Sequence, residues 1–237
     1  SGAAAGPADP SGPGQIDVPR DDIKTVGMLS LGCPKNLVDG EVMLGRLQGA
    51  GYRLVADAKE ADVVVVNTCA FIDRAKQESV DAILEMAREK EAGRAKRLVV
   101  TGCLTQRYDA DLRREIPEID ATLGTGQVEE IVRAVGGEAT SLAEAGPGLP
   151  TWVYDHTAPR VLSTPPWLAY LKISEGCDYT CSFCIIPTLR GRHRSRGVED
   201  IVAEAKGLAA RGVREVVLVA QDSTRYGLDH GVRDGLA

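Results

Sequence analysis

Three cysteines crowd into the stretch SEGCDYTCSFCIIP, separated by gaps of three and then two residues. They are Cys177, Cys181 and Cys184. Thiolates placed this closely on a short segment are typical ligands of a soft metal ion or an iron–sulfur cluster. A disulfide would leave one of the three thiols unpaired, so a shared inorganic group is the better interpretation.

Zinc and an iron–sulfur cluster are the two candidates for that group. A structural zinc ion takes four ligands, often two CxxC pairs or cysteines with a histidine at short spacing. His193 lies nine residues beyond Cys184, so a zinc site with three cysteines and one histidine stays open as an alternative. An iron–sulfur cluster fits three thiolates better, because it leaves one iron open to bind a substrate.

The other three cysteines are Cys33, Cys69 and Cys103, which lie 36 and 34 residues apart. Each directly follows an apolar run that predicts a buried strand, and the intervals fit one strand-plus-helix repeat. A lone cysteine after a strand is usually a small buried apolar residue. However, the carboxyl ends of parallel strands share one edge of a sheet, where ligands of α/β proteins bind. The common position of these three thiols therefore predicts a second shared metal site.

The segments around these cysteines alternate between predicted strands and predicted helices. The strands are TVGMLSL, ADVVVVN, RLVVT and the short ATLGT. The helices are NLVDGEVMLGRLQGA, DRAKQESVDAILEMAREK, QRYDADLRREI and QVEEIVRAV. This alternation predicts an α/β domain over residues 23–136, in which a parallel sheet is covered by helices on both faces.

The remaining segments predict a tail, a linker and the start of a second domain. Residues 1–22 are rich in Ala, Gly, Pro and Ser and predict a disordered tail. Residues 137–166 break the alternation with Gly and Pro and predict a linker. Over residues 167–237, the strand LAYLKIS, the cysteine loop, the helix EDIVAEAKGLAARG and the strand REVVLVAQ form one strand–loop–helix–strand unit. Gln221 ends its second strand at the functional edge of such a unit, which makes it a candidate cofactor contact or a merely structural strand end.

Composition excludes several classes of protein. The 237 residues are 43% hydrophobic and 26% charged, as in globular proteins, and 28 basic against 34 acidic residues give a net charge of −6. That balance supplies no general attraction to nucleic acid. No apolar run approaches the roughly 20 residues that span a bilayer. Six thiols in a chain that can build its own apolar core indicate reduced cysteines and a cytoplasmic location, rather than a secreted disulfide framework.

These motifs together resemble the methylthiotransferase family of radical S-adenosylmethionine (SAM) enzymes. The matching segments are SLGCPKNLVDGE, NTCAFID, TGCL, KISEGCDYTCSFCIIPTLRGRHRSR and VAQDSTRYGLD, and the resemblance covers about residues 23–237. It implies two 4Fe-4S clusters, one on each set of three cysteines. It also implies that SAM binds at the open iron of the cluster on Cys177, Cys181 and Cys184, with Phe183 packed near the adenine.

Two short segments resemble the RimO branch of the family, namely Cys33-Pro34-Lys35-Asn36 and the Ser-Glu-Gly before Cys177. Members of that branch are transferases that add a methylthio group to the β-carbon of an aspartate of the twelfth small-subunit ribosomal protein. The resemblance therefore implies this protein or the assembled small subunit as substrate, with an electron-donor protein as partner. The tRNA-modifying MiaB branch, which typically has Gln in place of Pro-Lys, is the alternative. A non-catalytic iron–sulfur or zinc module is the alternative from a different class.

Family members continue through further βα units and a small β-barrel module. This sequence has one strand–loop–helix–strand unit and then ends at Ala237. We therefore expect an N-terminal fragment with the beginning of a radical SAM barrel, inactive by itself. The basic run Arg190, Arg192, Arg194 and Arg196 is open to two interpretations, a solvated surface loop or a contact with substrate.

Overall fold

A parallel sheet organises the first half of the chain. The computed structural model describes residues 22–138, 140–145 and 148–236, so the predicted tail lies outside the described residues except for Asp22. The strands are β1 (Thr25–Ser30), β2 (Arg53–Val55), β3 (Val63–Thr68), β4 (Arg97–Gly102) and β5 (Ala121–Leu123). Their order in the sheet is β2-β1-β3-β4-β5, and all four pairings are parallel. The predicted α/β fold with a parallel sheet is confirmed.

Helices cover both faces of this sheet. They are α1 (Pro34–Gly49), α2 (Asp73–Glu91), α3 (Cys103–Glu115) and α4 (Ile131–Gly136). Side chains of β3 alternate between two apolar cores: Val63 and Val65 belong to one, Val64 and Val66 to the other. The first core includes α1 and α4 residues and the second includes α2 and α3 residues. The apolar run over residues 63–66 is what burial on both faces requires.

Strand β2 is the one element of this sheet that the sequence analysis does not predict. It has three residues, Arg-Leu-Val, and lies at the edge beside β1. None of its side chains is fully buried. A segment this short shows no hydrophobic period, so sequence pattern alone cannot identify it.

The second half contains one βα unit with small additions. Strands β6 (Leu168–Lys172) and β9 (Glu215–Val219) pair in parallel, and α6 (Val198–Ala210) connects them. The shorter elements are β7 (Ser174–Glu175), α5 (Ile186–Arg190) and β8 (Arg194–Ser195), with β7 and β8 antiparallel. The core of this unit contains Ala169 and Leu171 of β6 and Leu208 of α6, and it is completed by Ile173, Val213 and Tyr226. This arrangement confirms the predicted start of a barrel of βα units.

The segment between the halves packs against both of them. Glu41 of α1 accepts hydrogen bonds from the backbone N–H and the hydroxyl of Ser163, at 2.8 and 2.9 Å. The Arg160 guanidinium bridges Glu41 (2.6 Å) and Glu204 of α6 (2.7 Å), and all three side chains are buried. The backbone of Pro159 crosses α1 at Gly45. Residues 159–163, inside the predicted linker, therefore form a strap that fixes α1 against α6.

In the part of the chain that the structure describes, no helix combines the length and apolarity needed to cross a membrane. Helix α2 has 19 residues, close to the length of a span, but charged residues occur along all of it. Its apolar residues, such as Ile83 and Met86, face the core.

The crossing of Pro159 over Gly45 yields a test of the strap. A Cβ atom at Gly45 would lie 2.3 Å from the Pro159 carbonyl oxygen. We expect Gly45→Ala to lower the free energy of unfolding by about 1–3 kcal/mol, since backbone must move. Gly207→Ala in α6 is the matched control, because no atom lies within 4 Å of its added methyl group. The control should raise stability by up to about 1 kcal/mol.

Urea unfolding of the two variants and the parent chain measures both effects. Equal stability of Gly45→Ala and Gly207→Ala would show that the strap does not press on α1.

Candidate functional site

The first three cysteines follow three neighbouring strands of the sheet. Cys33 comes after β1 and precedes α1, Cys69 comes after β3, and Cys103 is the first residue of α3. The three thiols line one cavity of about 380 Å³. The structure thus brings together the residues that the sequence placed at one sheet edge; we call them the first cysteine set.

Glycines permit the sharp turns that deliver these thiols. Gly32 has a φ of +89° and Gly102 a φ of +100°, which is the left-handed region that side chains disfavour. A Cβ at Gly32 would lie 2.6 Å from the Cβ of Cys69. A Cβ at Gly102 would lie 2.6 Å from the carbonyl oxygen of Thr68. The backbone before Cys33 and Cys103 can therefore approach Cys69 only because both positions lack a side chain.

Buried amides tie the strand ends together. The Asn36 amide donates to the carbonyl oxygens of Leu31 (2.9 Å) and Thr68 (3.2 Å). The Asn67 amide in turn donates to the Asn36 carbonyl oxygen at 2.8 Å. These bonds join the turn after β1 to the end of β3, so Cys33 and Cys69 are held at a fixed separation.

Two hydroxyl groups complete this bracing. Ser79 of α2 accepts from the Cys69 N–H (3.0 Å) and donates to the Cys69 carbonyl oxygen (2.9 Å). The Thr68 hydroxyl donates to the Thr101 carbonyl oxygen at 2.5 Å and accepts from the Leu104 N–H at 3.3 Å. Polar groups buried with complete hydrogen bonding rigidify a site, as these do around Cys69 and Cys103.

The far wall of the cavity comes from the second half of the chain. Ile186, Leu189 and Arg190 of α5 face the thiols, together with Gln221. The remaining lining residues belong to the first half and are Gly32, Lys35, Phe71, Ile72 and Ala75. Soft sulfur donors in a pocket with mainly apolar walls match the requirements of an iron–sulfur cluster. The residues present therefore fit such a group.

Arg190 reaches the first cysteine set directly. Its guanidinium is buried and donates to the Cys103 Sγ at 3.4 Å and to the Asn36 Oδ1 at 3.1 Å. Burial raises the pKa of the Cys103 thiol, whereas the charge of Arg190 and its hydrogen bond oppose that rise by favouring the thiolate. A thiolate is the form that binds a metal.

Arg190 belongs to a group of four buried charges, here called the ion network. The Nη1 atom of Arg190 lies 2.5 Å from Asp39 and 3.4 Å from Glu175. Lys172 pairs with the same two carboxylates and is 2.6 Å from Glu175. Two cations and two anions balance. All four side chains are at most 5% exposed, which buried charges tolerate only when they are paired.

The carboxyl group of Glu175 shows how strongly the network favours ionisation. Burial alone would raise its pKa, but Lys172 and Arg190 lower it from its ordinary value of 4.5 to about 2. Its Oε1 atom also accepts a hydrogen bond from the Gln221 amide. Gln221 Oε1 accepts from the N–H of Gly176 at 3.0 Å. Gln221 thereby braces the residue before Cys177 and lines the cavity of the first set; its predicted contact with a cofactor stays a prediction.

The second cysteine set, Cys177, Cys181 and Cys184, lies on the loop after β7. Cys177 is buried, Cys184 is partly buried and Cys181 is exposed. The N–H of Cys184 donates to the Cys181 carbonyl oxygen at 3.1 Å, which closes a tight turn between them. Phe183 within that turn is 90% exposed, so its ring is available to a ligand, and its predicted role stays a prediction.

The backbone around Cys177 is closely packed. Gly176 has a φ of +80°, and a Cβ there would lie 2.1 Å from the Arg192 carbonyl oxygen. The Cys177 N–H donates to the Gly191 carbonyl oxygen at 3.1 Å. His193, the histidine of the zinc alternative, has its Nε2 3.2 Å from the Ser195 hydroxyl and 3.9 Å from Asp229. Those contacts account for one of its ring nitrogens without a thiol.

The ion network is the part of the site that sequence analysis missed. Of the basic run, Arg190 and Arg196 are buried in ion pairs, so a solvated loop is the wrong interpretation for these two residues. Arg192 is exposed. The available signal was a charge on an apolar face: Asp39 lies next to Val38 on the buried side of α1, and Lys172 ends the apolar strand β6.

Two family models match the chain. Residues 25–124 match the model described as uncharacterized protein family UPF0004. Residues 171–231 match that of the radical SAM superfamily. The first match contains the first cysteine set and the second contains the second set.

Similar curated proteins carry the name ribosomal protein uS12 methylthiotransferase RimO. The protein from Koribacter versatilis is 47% identical, over 94% of this chain and 52% of its own length. Those from Pelotomaculum thermopropionicum and Myxococcus xanthus are 55% and 58% identical over 86% and 87% of this chain, and 46% and 43% of their own lengths. The chain thus spans about half the length of the curated relatives it matches.

Two solved structures share the fold. Both are of the radical SAM methyltransferase TsrM from Kitasatospora setae, one with tryptophan substrate and a SAM analog bound, the other with cobalamin and a [4Fe-4S] cluster. The first has a TM-score of 0.58 at 16% identity over 85% of this chain and 48% of that chain. The second has a TM-score of 0.53 at 15% identity over 85% and 50%. At these identities the likeness concerns the fold.

The turn at Gly32 generates a prediction for metal loading. Gly32→Ala adds both the strain of a positive φ and a collision with Cys69, so the first cysteine set should no longer converge. Gly93→Ala is the matched control, since Gly93 also has a positive φ (+75°) but no atom within 4 Å of the added methyl group. We expect both variants to lose about 1–2 kcal/mol of stability from the backbone strain.

Anaerobic reconstitution with iron and sulfide, followed by iron analysis, separates the two variants. Gly93→Ala should bind as much iron as the parent, whereas Gly32→Ala should lose the share bound by the first set. Full iron content in Gly32→Ala would refute the steric account of this turn.

Glu175 generates a prediction for pH dependence. Because its folded pKa lies below 4.5, the ionised carboxylate contributes its full stabilisation above about pH 4.5, and that contribution is lost as the pH falls toward 2. Glu175→Gln leaves Lys172 and Arg190 with one carboxylate and should cost about 3–5 kcal/mol at pH 7. The variant should also lose less stability than the parent between pH 5 and pH 3.

Urea unfolding at several pH values measures both effects. Glu78→Gln, at an exposed position inside α2, serves as the control, and its stability should stay within about 0.5 kcal/mol of that of the parent at each pH. A parallel pH dependence of Glu175→Gln and the parent would contradict the assignment.

Proposed function

Because the chain belongs to the methylthiotransferase family of radical SAM enzymes, in its RimO-like branch, we propose that the whole protein methylthiolates an aspartate of ribosomal protein uS12. The transfer would take place at the β-carbon. One observation carries the proposal: three thiols from three strand ends line a single cavity whose far wall belongs to the radical SAM half. A cavity shared in this way suits a reaction in which two metal centres act on one substrate.

The family assignment supports an iron–sulfur cluster and SAM as cofactors; the presence of two clusters is our proposal. Cys33, Cys69 and Cys103 would hold one 4Fe-4S cluster, and Cys177, Cys181 and Cys184 the other. When bound, the clusters supply one-electron chemistry on SAM and an attachment point for the sulfur that is transferred. The protein contributes binding, orientation and shielding, as is usual where cofactors perform the difficult chemistry.

The chain's own residues provide those contributions. Phe71, Ile186 and Leu189 give the cavity apolar walls. Gln221 and Glu175 fix Gly176, and so fix the start of the second cysteine set. Phe183 and Gln221 are the proposed contacts for SAM.

Lys35 gives the cavity an unpaired cation. Its side chain lines the cavity and is partly buried. Within residues 22–138, 140–145 and 148–236, no carboxylate forms an ion pair with it. A cation there attracts the carboxylate of an aspartate and an RNA phosphate alike, so Lys35 suits an acidic substrate group without separating the two branches. The net charge of −6 opposes RNA binding and so favours the ribosomal protein.

The proposed partners follow from the reaction. The substrate would be free uS12 or the assembled small subunit, and an electron-donor protein would reduce the second-set cluster. Both substrates are found in the cytoplasm, where we place the protein.

Cysteine variants of the complete gene product test the proposal. Cys181→Ala should abolish the formation of 5′-deoxyadenosine from SAM, because it removes a ligand of the second-set cluster. Cys69→Ala should retain that cleavage but give no methylthiolated product, because it removes a ligand of the first-set cluster. Chromatography of the nucleoside and mass spectrometry of a uS12 peptide measure the two steps separately.

Replacing the target aspartate of the peptide by alanine is the substrate control. Cleavage of SAM by Cys181→Ala would disprove the role of the second set. Modification of tRNA in place of the peptide would assign the protein to the alternative branch.

A further inference from the structure

The dipeptide Arg190-Gly191 contacts both cysteine sets. The Arg190 side chain donates to the Cys103 Sγ at 3.4 Å. The Gly191 carbonyl oxygen, one residue later, accepts from the Cys177 N–H at 3.1 Å. A single short segment at the end of α5 therefore lies between the first and the second set.

The guanidinium of Arg190 cannot turn away from the sulfur. Its other polar contacts are with Asn36 Oδ1 at 3.1 Å, Asp39 Oδ2 at 2.5 Å and Glu175 Oε2 at 3.4 Å. The side chain is 3% exposed, so no bulk water competes for these bonds. A guanidinium is planar and rigid, and partners on several sides fix its orientation.

The backbone behind this side chain is also fixed. Gly191 has a φ of +74°, and a Cβ there would lie 2.2 Å from the Pro150 carbonyl oxygen. The N–H of Gly191 donates to the Pro187 carbonyl oxygen at 3.0 Å, which ends α5. Arg190 thus projects from a constrained turn toward Cys103.

The cysteine sulfurs differ in the hydrogen bonds that they accept from charged side chains. Among the described residues, the bond from Arg190 to Cys103 is the one hydrogen bond that a charged side chain donates to a cysteine sulfur. Hydrogen bonds to the sulfurs and nearby charge are two of the factors that set the reduction potential of an iron–sulfur cluster. A positive donor stabilises the reduced state, which carries one more negative charge, and so raises the potential.

We propose that Arg190 is a positioning residue that raises the reduction potential of the cluster held by the first cysteine set, through its hydrogen bond to Cys103. The inference rests on the proposed function, since it requires a cluster at Cys33, Cys69 and Cys103. The hydrogen bond from Arg190 would give the cluster on the first cysteine set a higher reduction potential than it would have without that bond, and no such bond is seen at the described residues of the second cysteine set.

The test measures the first-set cluster alone. The parent chain for this test carries Cys181→Ala and Cys184→Ala, which remove two ligands of the second cysteine set. Iron bound after anaerobic reconstitution then belongs to the first cysteine set. Arg190→Met is then introduced, because methionine fills similar space without charge or donor. Its matched control is Arg196→Met, which removes another buried arginine that pairs with Asp200 and Glu204.

Redox titration monitored by electron paramagnetic resonance gives the midpoint potential of each variant. Arg190→Met should lower the midpoint potential by at least about 59 mV. For one electron, that shift is a tenfold change in the ratio of oxidised to reduced cluster. Arg196→Met should lose stability but keep the potential of the parent. A merely structural role for Arg190 would affect stability in both variants and the potential in neither.

Removing Arg190 leaves three charges in the ion network, so the single variant can fail to fold. Asp39→Asn combined with Arg190→Met restores the balance between Lys172 and Glu175, and Asp39→Asn alone is its reference. The midpoint potential of the double variant should lie at least about 59 mV below that of Asp39→Asn. That difference is a tenfold change in the ratio of oxidised to reduced cluster for one electron.

The possible failures differ between the two proposals. Absence of iron from the parent with the first set intact would refute the proposed cluster and thereby the proposed function. Iron present, with equal potentials in Asp39→Asn and in the double variant, would overturn the role of Arg190 and leave the proposed function standing.

Discussion

The buried ion pairs among Asp39, Lys172, Glu175 and Arg190 are the interaction on which the arrangement of both cysteine sets depends. Asp39 belongs to α1 in the first half, whereas the other three residues belong to the second half. Taking four charges out of water costs several kcal/mol per ion, so an apolar contact could have been as stable. What the charges add is a fixed geometry, since each of the two cations must reach both carboxylates at once.

The network acts on the cysteines through short covalent and hydrogen-bonded links. Glu175 is two residues before Cys177, and the Arg190 guanidinium donates a hydrogen bond to the Cys103 Sγ. Asn36, three residues after Cys33, receives a hydrogen bond from the same guanidinium. A displacement of any member would therefore move a thiol of each set. The turns at Gly32 and Gly176 are packed so closely against neighbouring residues that neither position has room for a side chain.

Much of the fold could be predicted from sequence because its signals are local. Apolar β-branched runs such as VVVV in β3 show burial on both faces, and the shared position of Cys33, Cys69 and Cys103 after strands shows one sheet edge. The ion network could not be predicted in this way. Its partners Asp39 and Arg190 are 151 residues apart, and no local period relates them. An arginine-rich segment looks the same in sequence whether its members face water or a carboxylate, so Arg190 and Arg192 became distinguishable only through the structure.

The position of the cavity wall has a consequence for the order of events during synthesis. The thiols of the first set are all present once residue 103 has been added, and N-terminal domains generally fold while the ribosome is still extending the chain. Arg190 and Gln221, which close the far side, follow 87 and 118 residues later. A nascent chain thus passes through a stage at which the three sulfurs stand at an open sheet edge. They become part of a walled cavity only when α5 and Gln221 have been added.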